Sequence, residues 1–275
     1  RRSSNYSRRD SVASSTGRAE VTASSSAIVG VLDPVDGSCF VNQYFVVNCI
    51  GEGAQGLVFM VYDSATNETR AMKVVHRPTI PDVVANTKSQ LKMQKKTQQL
   101  AREIAIMKRC RHRNVVALYE VIDDPEADRV YLIMQYVDKG ALMRLAPNGV
   151  ADKFLNPEKV AWFGRQLCAG LSYLHDHNVI HRDIKPDNIL LGEGDNVYLA
   201  DFGVSDLFAA GDDGSIEGHR GTKAFLAPEL LGAAAPARVP DGKAVDVWAL
   251  GVTFFVMLVG RLPWPCGTLA QYVEG

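Results

Sequence analysis

The chain has almost no net charge to offer a partner, since 30 Lys and Arg side chains stand against 31 Asp and Glu. Without a field of one sign, bulk electrostatics give no case for nucleic acid or an anionic membrane surface. Cysteine is scarce as well as scattered. The five, Cys39, Cys49, Cys110, Cys168 and Cys266, are odd in number and show neither metal-ligand spacing nor the density of a disulfide scaffold. A reducing compartment is the simplest home, so a cytoplasmic location is expected, with the nucleus also open to such a protein. Long apolar runs are missing too. The longest, Val247 to Val259, is too short to span a bilayer and starts directly after Asp246, so it reads as a buried helix. Neither an initial Met nor an apolar signal region opens the chain, and it stops as abruptly as it starts, so a piece of a longer protein is expected.

What is present suffices for a large core. With 275 residues, 47% of them hydrophobic, the chain has room for one large domain or two lobes. Residues 1–39 are expected to be a disordered Ser/Arg-rich tail, because their N-terminal part has no hydrophobic periodicity and cannot bury enough apolar surface to offset the entropy of ordering. Two places in it, Arg1-Arg2-Ser3-Ser4 and Arg8-Arg9-Asp10-Ser11, read either as sites for a basophilic kinase or as a solvated basic tail.

The most informative stretch is His181-Arg182-Asp183-Ile184-Lys185-Pro186-Asp187-Asn188. It sets an acid, a cation and an amide at spacings that suit phosphoryl transfer. Asp183 is able to accept the proton of a substrate hydroxyl, Lys185 to neutralise charge on the phosphate in transfer, and Asn188 to hold a magnesium ion through its side-chain oxygen. These roles are those of a known phosphoryl-transfer template. His181 reads as packed structure rather than as a base.

Other parts of the same machine occur in order along the chain. Ordered sequence begins near Phe40, and Tyr44 to Ile50 alternates enough apolar and β-branched residues to be a strand. It leads into Gly51-Glu52-Gly53-Ala54-Gln55-Gly56-Leu57-Val58. Alone, such a glycine motif fits a dinucleotide-binding turn equally well. There a helix would open at the glycines, whereas Leu57 to Tyr62 is another β-rich stretch. The glycines are therefore expected to cap a hairpin whose backbone lies close over a triphosphate. Ile50, Gly51, Glu52, Gly53, Gly56 and Val58 are the candidate nucleotide contacts here.

After a turn at Asp63 to Thr69, with Asn67 at its tip, a third strand carries Ala71-Met72-Lys73. A lysine in an apolar strand is costly unless paired. Its expected partners are the α- and β-phosphates and Glu103, on a helix whose apolar face is formed by Leu100, Ile104 and Met107. Ahead of that helix lies an insert at about 78–98 with Lys88, Lys92, Lys95 and Lys96. It reads either as a helical extension or as a mobile insert, and its lysines either as a docking patch for an acidic partner or as a solvated face.

Tyr131 to Tyr136 is expected to be a strand ending at a linker between lobes. Met134 would line the back of an adenine slot, and the backbone of Gln135 to Val137 would bond the adenine edge. Asn156-Pro157 is a helix start, a side-chain cap followed by a proline whose missing N–H is harmless. Val160, Phe163, Leu167, Leu171 and Leu174 line one face of the ensuing helix, which delivers the catalytic loop. Ile189 to Leu191 and Val197 to Ala200 read as a hairpin, with Leu190 counted among the nucleotide contacts. It ends in Asp201-Phe202-Gly203: Asp201 for magnesium, Phe202 to pack under the glutamate helix, and Gly203 to let the backbone turn.

Taken with Ala227-Pro228-Glu229 and Asp246-Val247-Trp248-Ala249-Leu250-Gly251, these motifs make residues from about 44 to 271 resemble a eukaryotic protein kinase. Lys185, two places after Asp183, resembles the serine/threonine class. Closer similarity is to the calcium/calmodulin-dependent protein kinase kinases and related activators of AMP-activated kinase, on Asn42-Gln43-Tyr44, Glu103 to Met107, Val121 to Pro125, Asp201 to Ser205 and Gly242 to Ala249. The insert is Lys/Gln-rich here, where that subfamily has Arg and Pro.

The resemblance implies an α+β, two-lobed fold: a small β-rich lobe with one main helix at 40–137 and a larger, mostly helical lobe at 138–275, truncated at its C-terminal end. It implies ATP and Mg2+ as cofactors, with the metal on Asn188 and Asp201, and Thr222 bonded to the catalytic loop. The implied substrates are proteins, among them AMP-activated-kinase-like or calmodulin-dependent kinases. Calmodulin as a partner rests on the resemblance alone, since no helix for it is visible. Between Asp201 and Glu229 the hydroxyl candidates are Ser205, Ser215 and Thr222. Arg182 would pair with a phosphate on Ser215, but Asp212, Asp213 and Glu217 supply charge nearby, so activity without phosphorylation of this segment is expected. The alternative is a pseudokinase-type scaffold. It turns on Lys73, Asp183, Asn188 and Asp201, and all four are present.

Overall fold

β-branched and aromatic residues dominate the strands of the first unit, which pair as a sheet that is antiparallel except at one edge. The computed structural model describes residues 23–25, 40–53, 56–77, 87–208, 220–231 and 240–264. The basophilic motifs of the tail, Ser215 with its acidic neighbours, and the C-terminal end lie outside the described residues. In chain order the first unit holds β1 (Ala23–Ser25), β2 (Phe40–Val41), β3 (Tyr44–Gly53), β4 (Gly56–Asp63), β5 (Glu68–His76), α1 (Thr87–Arg109), β6 (Leu118–Ile122) and β7 (Arg129–Gln135). Its sheet runs β1-β6-β7-β5-β4-β3-β2. Central β5 is buried from Arg70 to Val75, as expected for a strand covered on both faces.

Three of the expectations change here. Within the tail, Ala23–Ser25 is a strand, parallel to β6. Ala-Ser-Ser has no apolar alternation to announce it, and backbone pairing at a sheet edge supplies the order instead. From Thr87 on the Lys-rich stretch is a helical extension, because α1 runs unbroken from there with Lys95 and Lys96 exposed; its part at 78–86 lies outside the described residues. The apolar face of α1 is also rotated from the predicted one. Ile106, Met107 and Cys110 are buried, whereas Leu100 and Ile104 are only half-buried. Glu103 shares the buried face because it turns inward toward β5, and burial pushes the Cys110 thiol up to about 12, which leaves it inert.

The larger unit comprises α2 (Pro157–Asp176), β8 (Val179–Ile180), β9 (Ile189–Leu191), β10 (Val197–Leu199), β11 (Asp206–Leu207) and α3 (Gly242–Val259). Asn156 caps α2 by accepting the Lys159 N–H at 2.8 Å, and the predicted face, Val160 to Leu174, is buried throughout. One continuous cluster joins Ile106 and Met107 of α1 to Phe163, Leu167 and Phe202. Each such side chain stabilises the fold by about 1.5–3 kcal/mol.

The apolar run at Val247 belongs to a longer helix than expected. By length and composition alone α3 would suit a bilayer crossing, with a mean hydropathy of 1.7. Its inner half is buried in protein, however, and carries Asp246 fully enclosed and hydrogen-bonded to the catalytic loop. A carboxylate so placed marks the core helix of the larger lobe.

Candidate active site

Lys73 lies on β5 opposite Val58 of β4 and Leu132 of β7, so apolar strands flank it on both sides. Its Nζ is 2.7 Å from Glu103 Oε1 and 3.7 Å from Asp201 Oδ1. Burial raises the Glu103 carboxyl above its ordinary range, while the Lys73 charge pulls it back without cancelling the effect. The pair therefore joins the sheet, the helix and the Asp201 turn at one cation.

The loop between β8 and β9 is held from below by α3. Asp246 accepts the His181 N–H on Oδ2 and the Arg182 N–H on Oδ1, both at 2.8 Å, and its Oδ2 also lies 2.9 Å from His175 Nε2. Arg182 adopts a left-handed backbone, φ 66°, which costs a non-glycine residue about 1–2 kcal/mol. The two bonds to Asp246 offset that strain and turn the next side chain outward. His181 is wholly buried, with Nε2 3.1 Å from the Ala200 carbonyl oxygen and its ring against Phe202.

Asp183 is saturated with donors. Oδ1 accepts from the Thr222 N–H at 2.9 Å and the Thr222 hydroxyl at 2.7 Å; Oδ2 accepts from Lys185 Nζ and Asn188 Nδ2, each at 2.8 Å. Burial alone would raise this carboxyl, but the bonds from Lys185 and Thr222 and the Lys185 charge outweigh it and hold it below its ordinary value. Thr222 approaches this closely because Gly221 precedes it, with φ 102°. A Cβ there would stand 2.2 Å from the Arg182 carbonyl oxygen, so only glycine fits.

The β9–β10 hairpin carries Asn188 and Asp201 to the same place. The Ala200 N–H bonds the Asn188 carbonyl oxygen at 2.9 Å, and Asp201, with φ 63°, turns its half-exposed carboxylate toward Lys73. Lys73 thus meets Asp201, the backbone of the adjoining Ala200 ties that turn to Asn188, and Asn188 bonds Asp183. Phe202 is buried in the cluster that holds Ile106 and Met107 of α1. The Gln99 side chain of α1 donates to the Gly203 carbonyl.

Above them the glycine motif closes a β-hairpin, Gly51 opposite Val58 and Gly53 opposite Gly56. Gly56 packs so near β5 that a Cβ would sit 1.9 Å from the Val74 carbonyl oxygen. Ala71 faces Met134 across the β5–β7 pairing, and Leu190 bridges Ala141 beneath. Ile50 and Glu52 are exposed, Val58 half-buried. At the linker the backbone offers one acceptor and one donor. The Gln135 N–H is taken by the Ala117 carbonyl at 2.9 Å, so only its carbonyl is left for an edge contact, whereas the Val137 N–H has no acceptor among the described residues.

The protein kinase domain family matches residues 44–273. The chain belongs to the protein kinase family. Among curated proteins it is 39% identical to the serine/threonine-protein kinase ssp1 of Schizosaccharomyces pombe, over 84% of this chain and 35% of that protein. It is 36% identical to a calcium/calmodulin-dependent protein kinase kinase of Caenorhabditis elegans, over 81% of this chain and 42% of that protein. It is 35% identical to the serine/threonine-protein kinase GRIK2 of Arabidopsis thaliana, over 85% of this chain and 55% of that protein. The chain therefore spans only about a third to a half of the length of these relatives.

Two residues of the kinase domain's site escaped the sequence reading. Asp246 has a signal in sequence, since a carboxylate at the head of the longest apolar run points to a buried partner. Asp206, which gathers three arginines, carried no signal at all. Its partners lie at positions 102, 182 and 220, too far apart in sequence for pairing to be read.

Proposed function

We propose that this kinase domain transfers the γ-phosphoryl group of ATP to serine or threonine hydroxyls of protein substrates. The observation that carries this reading is the convergence of four side chains: Lys73 meets Asp201, the backbone of the adjoining Ala200 bonds Asn188, and Asn188 bonds Asp183. In it the adenine edge meets the Gln135 carbonyl and the Val137 N–H, between Ile50, Val58, Ala71 and Leu190, with Met134 behind. The phosphates lie under the glycine hairpin and on Lys73, which Glu103 holds in place.

Asn188 and Asp201 suit magnesium. Asn188 uses Nδ2 to bond Asp183, which leaves its oxygen as a donor atom, and Asp201 offers a carboxylate. Among the described residues no group of three or more His, Cys, Asp or Glu would hold a metal by itself. That fits an ion which takes one or two protein oxygens and leaves the rest of its shell to phosphate and water. When bound, it draws charge from the phosphate oxygens.

Asp183 acts chiefly by orientation. Its two oxygens have about four lone-pair sites, all of them taken, so an arriving hydroxyl must displace a donor. Lys185 is the donor with a second use, because its ammonium can swing to the γ-phosphoryl oxygens as charge gathers there. The depressed carboxyl is a weak base, which suits a loose transition state whose proton moves late. Radiolabelled transfer from ATP to a general protein acceptor tests the assignment: transfer is expected, and Asp183→Asn abolishes it while nucleotide binding persists. Labelling that survives Asp183→Asn unchanged ends it.

We further infer that the substrates are themselves kinases, of the AMP-activated or calmodulin-dependent type, in the cytoplasm or nucleus. Support comes from the relative whose name makes it a kinase of a kinase and from the subfamily stretches in the sequence. Phosphorylation of an AMP-activated-kinase-type catalytic domain at its activation-loop threonine, with and without calcium and calmodulin, tests substrate and regulator together.

A further inference from the structure

Three arginines from three elements meet on one carboxylate beside the phosphotransfer centre. Arg102 Nη1 of α1 lies 2.6 Å from Asp206 Oδ1, Arg220 Nη1 lies 3.2 Å from the same oxygen, and Arg182 Nη1 donates to Oδ2. Asp206 opens β11, whose pairing opposite Ile180 of β8 fixes its backbone next to the catalytic loop. The Ser205 hydroxyl adds a bond to the His181 carbonyl at 2.9 Å. Exposure separates the partners: the Arg182 side chain is 1% accessible and that of Asp206 13%, while those of Arg102 and Arg220 are about half open. Arg182 is thus a buried cation, and Asp206 is an anion delivered to it.

Each arginine sits next to a residue of the centre. Arg102 precedes Glu103, Arg182 precedes Asp183, and Arg220 stands two places before Thr222. We propose that Asp206 is a positioning residue, a resident anion that holds α1, the catalytic loop and the 220–222 stretch in register, where a phosphate on the intervening segment would otherwise serve. The proposal rests on the phosphotransfer reading above. Three guanidinium groups gathered at one point repel one another, and a carboxylate between them replaces that repulsion with three charge-assisted bonds. Remove the charge and α1 and the 220–222 stretch are driven off Arg182, which loosens Lys73–Glu103 and Thr222–Asp183. Because the anion is part of the chain, the arrangement exists whenever the domain is folded.

Hydrogen exchange and steady-state kinetics on the full chain test it together. Asp206→Asn is expected to speed amide exchange in α1 and at 220–226 and to lower kcat by about tenfold or more, a larger change than in KM for ATP; Asp206→Glu is expected to restore both. Arg102→Gln and Arg220→Gln alter half-open side chains, so the fold survives, and each is expected to loosen its own element alone. Those two variants decide the matter should Asp206→Asn fail to fold. Exchange in α1 and at 220–226 that matches the unaltered chain in the folded variants overturns the proposal. Exchange needs no turnover, so a chain that transfers no phosphate counts against the functional reading and leaves this one standing or falling by itself.

Discussion

The Thr222 hydroxyl lies 2.7 Å from both Asp183 Oδ1 and Lys185 Nζ, donating to the acid and accepting from the cation. One side chain from a segment thirty-odd positions downstream thereby fixes the spacing of the acid and the cation. Its contribution is geometric, since it adds no charge.

Thr222→Ala removes both bonds and leaves Lys185 one acceptor fewer. Losing a hydrogen bond to a charged group costs about 1.5–3 kcal/mol, and because Lys185 and Asp183 keep each other as partners the net loss is about one such bond, so kcat is expected to fall about tenfold to a hundredfold, with KM for ATP little changed. Thr222→Ser keeps the hydroxyl and is expected to stay within about threefold. Equal losses for the two variants in steady-state assays would mean that the methyl group, and not the hydroxyl, matters.

Acid sensitivity is expected to come from Glu103 rather than Asp183. Burial raises Glu103, so as pH falls it takes up a proton first and releases Lys73. Asp183, held low by Lys185 and Thr222 against its burial, is still ionised there. The acid limb of kcat/KM for ATP should therefore lie above the ordinary carboxylate range, and Glu103→Gln should flatten it at a reduced baseline. The stability linkage has opposite signs at the two sites. Asp183 contributes above its unfolded value and loses that contribution as pH falls through its lowered folded one; Glu103 contributes below its unfolded value and loses it as pH rises through its raised folded one.

The parts legible in the sequence were those whose meaning is local. The glycine motif was separated from a dinucleotide turn by the β-rich residues that follow it, and the hairpin Gly53–Gly56 agrees. Asn156-Pro157 and the face from Val160 to Leu174 needed only helical spacing. What stayed hidden depended on distant partners. Ile106 is buried but stands outside the predicted face of Leu100, Ile104 and Met107, because Glu103 turns inward to Lys73, thirty positions away. β1 takes its order from the edge of β6, and Asp206 and Asp246 find their partners only once three separate elements have packed.

Ser215 is expected to be dispensable for turnover. Asp212, Asp213 and Glu217 beside it, which suggest the same, lie outside the described residues. Asp206 supplies a different reason, because Arg182, the arginine that a phosphate would seek, already has its carboxylate. Ser215→Ala should keep kcat within about twofold of the unaltered chain. Loss of nearly all activity would show that the resident carboxylate does not suffice.

Asp246 tests whether the catalytic loop is held up by α3 or merely rests on it. The carboxylate is fully enclosed and takes two backbone N–H groups and one imidazole, while Arg182 keeps a left-handed φ of 66° above it. Asp246→Asn retains the shape but turns one acceptor oxygen into a donor that faces another donor. A buried mismatch of this kind is expected to cost about 2–4 kcal/mol in urea unfolding. The loop should suffer more than the fold as a whole. With its strain no longer offset, Arg182 is expected to relax, amides 181–183 to exchange faster than those of α2, and kcat to drop even at temperatures where the variant stays folded. Uniform loss of protection in α2 and the loop alike would instead make Asp246 a general core residue with no particular hold on Asp183.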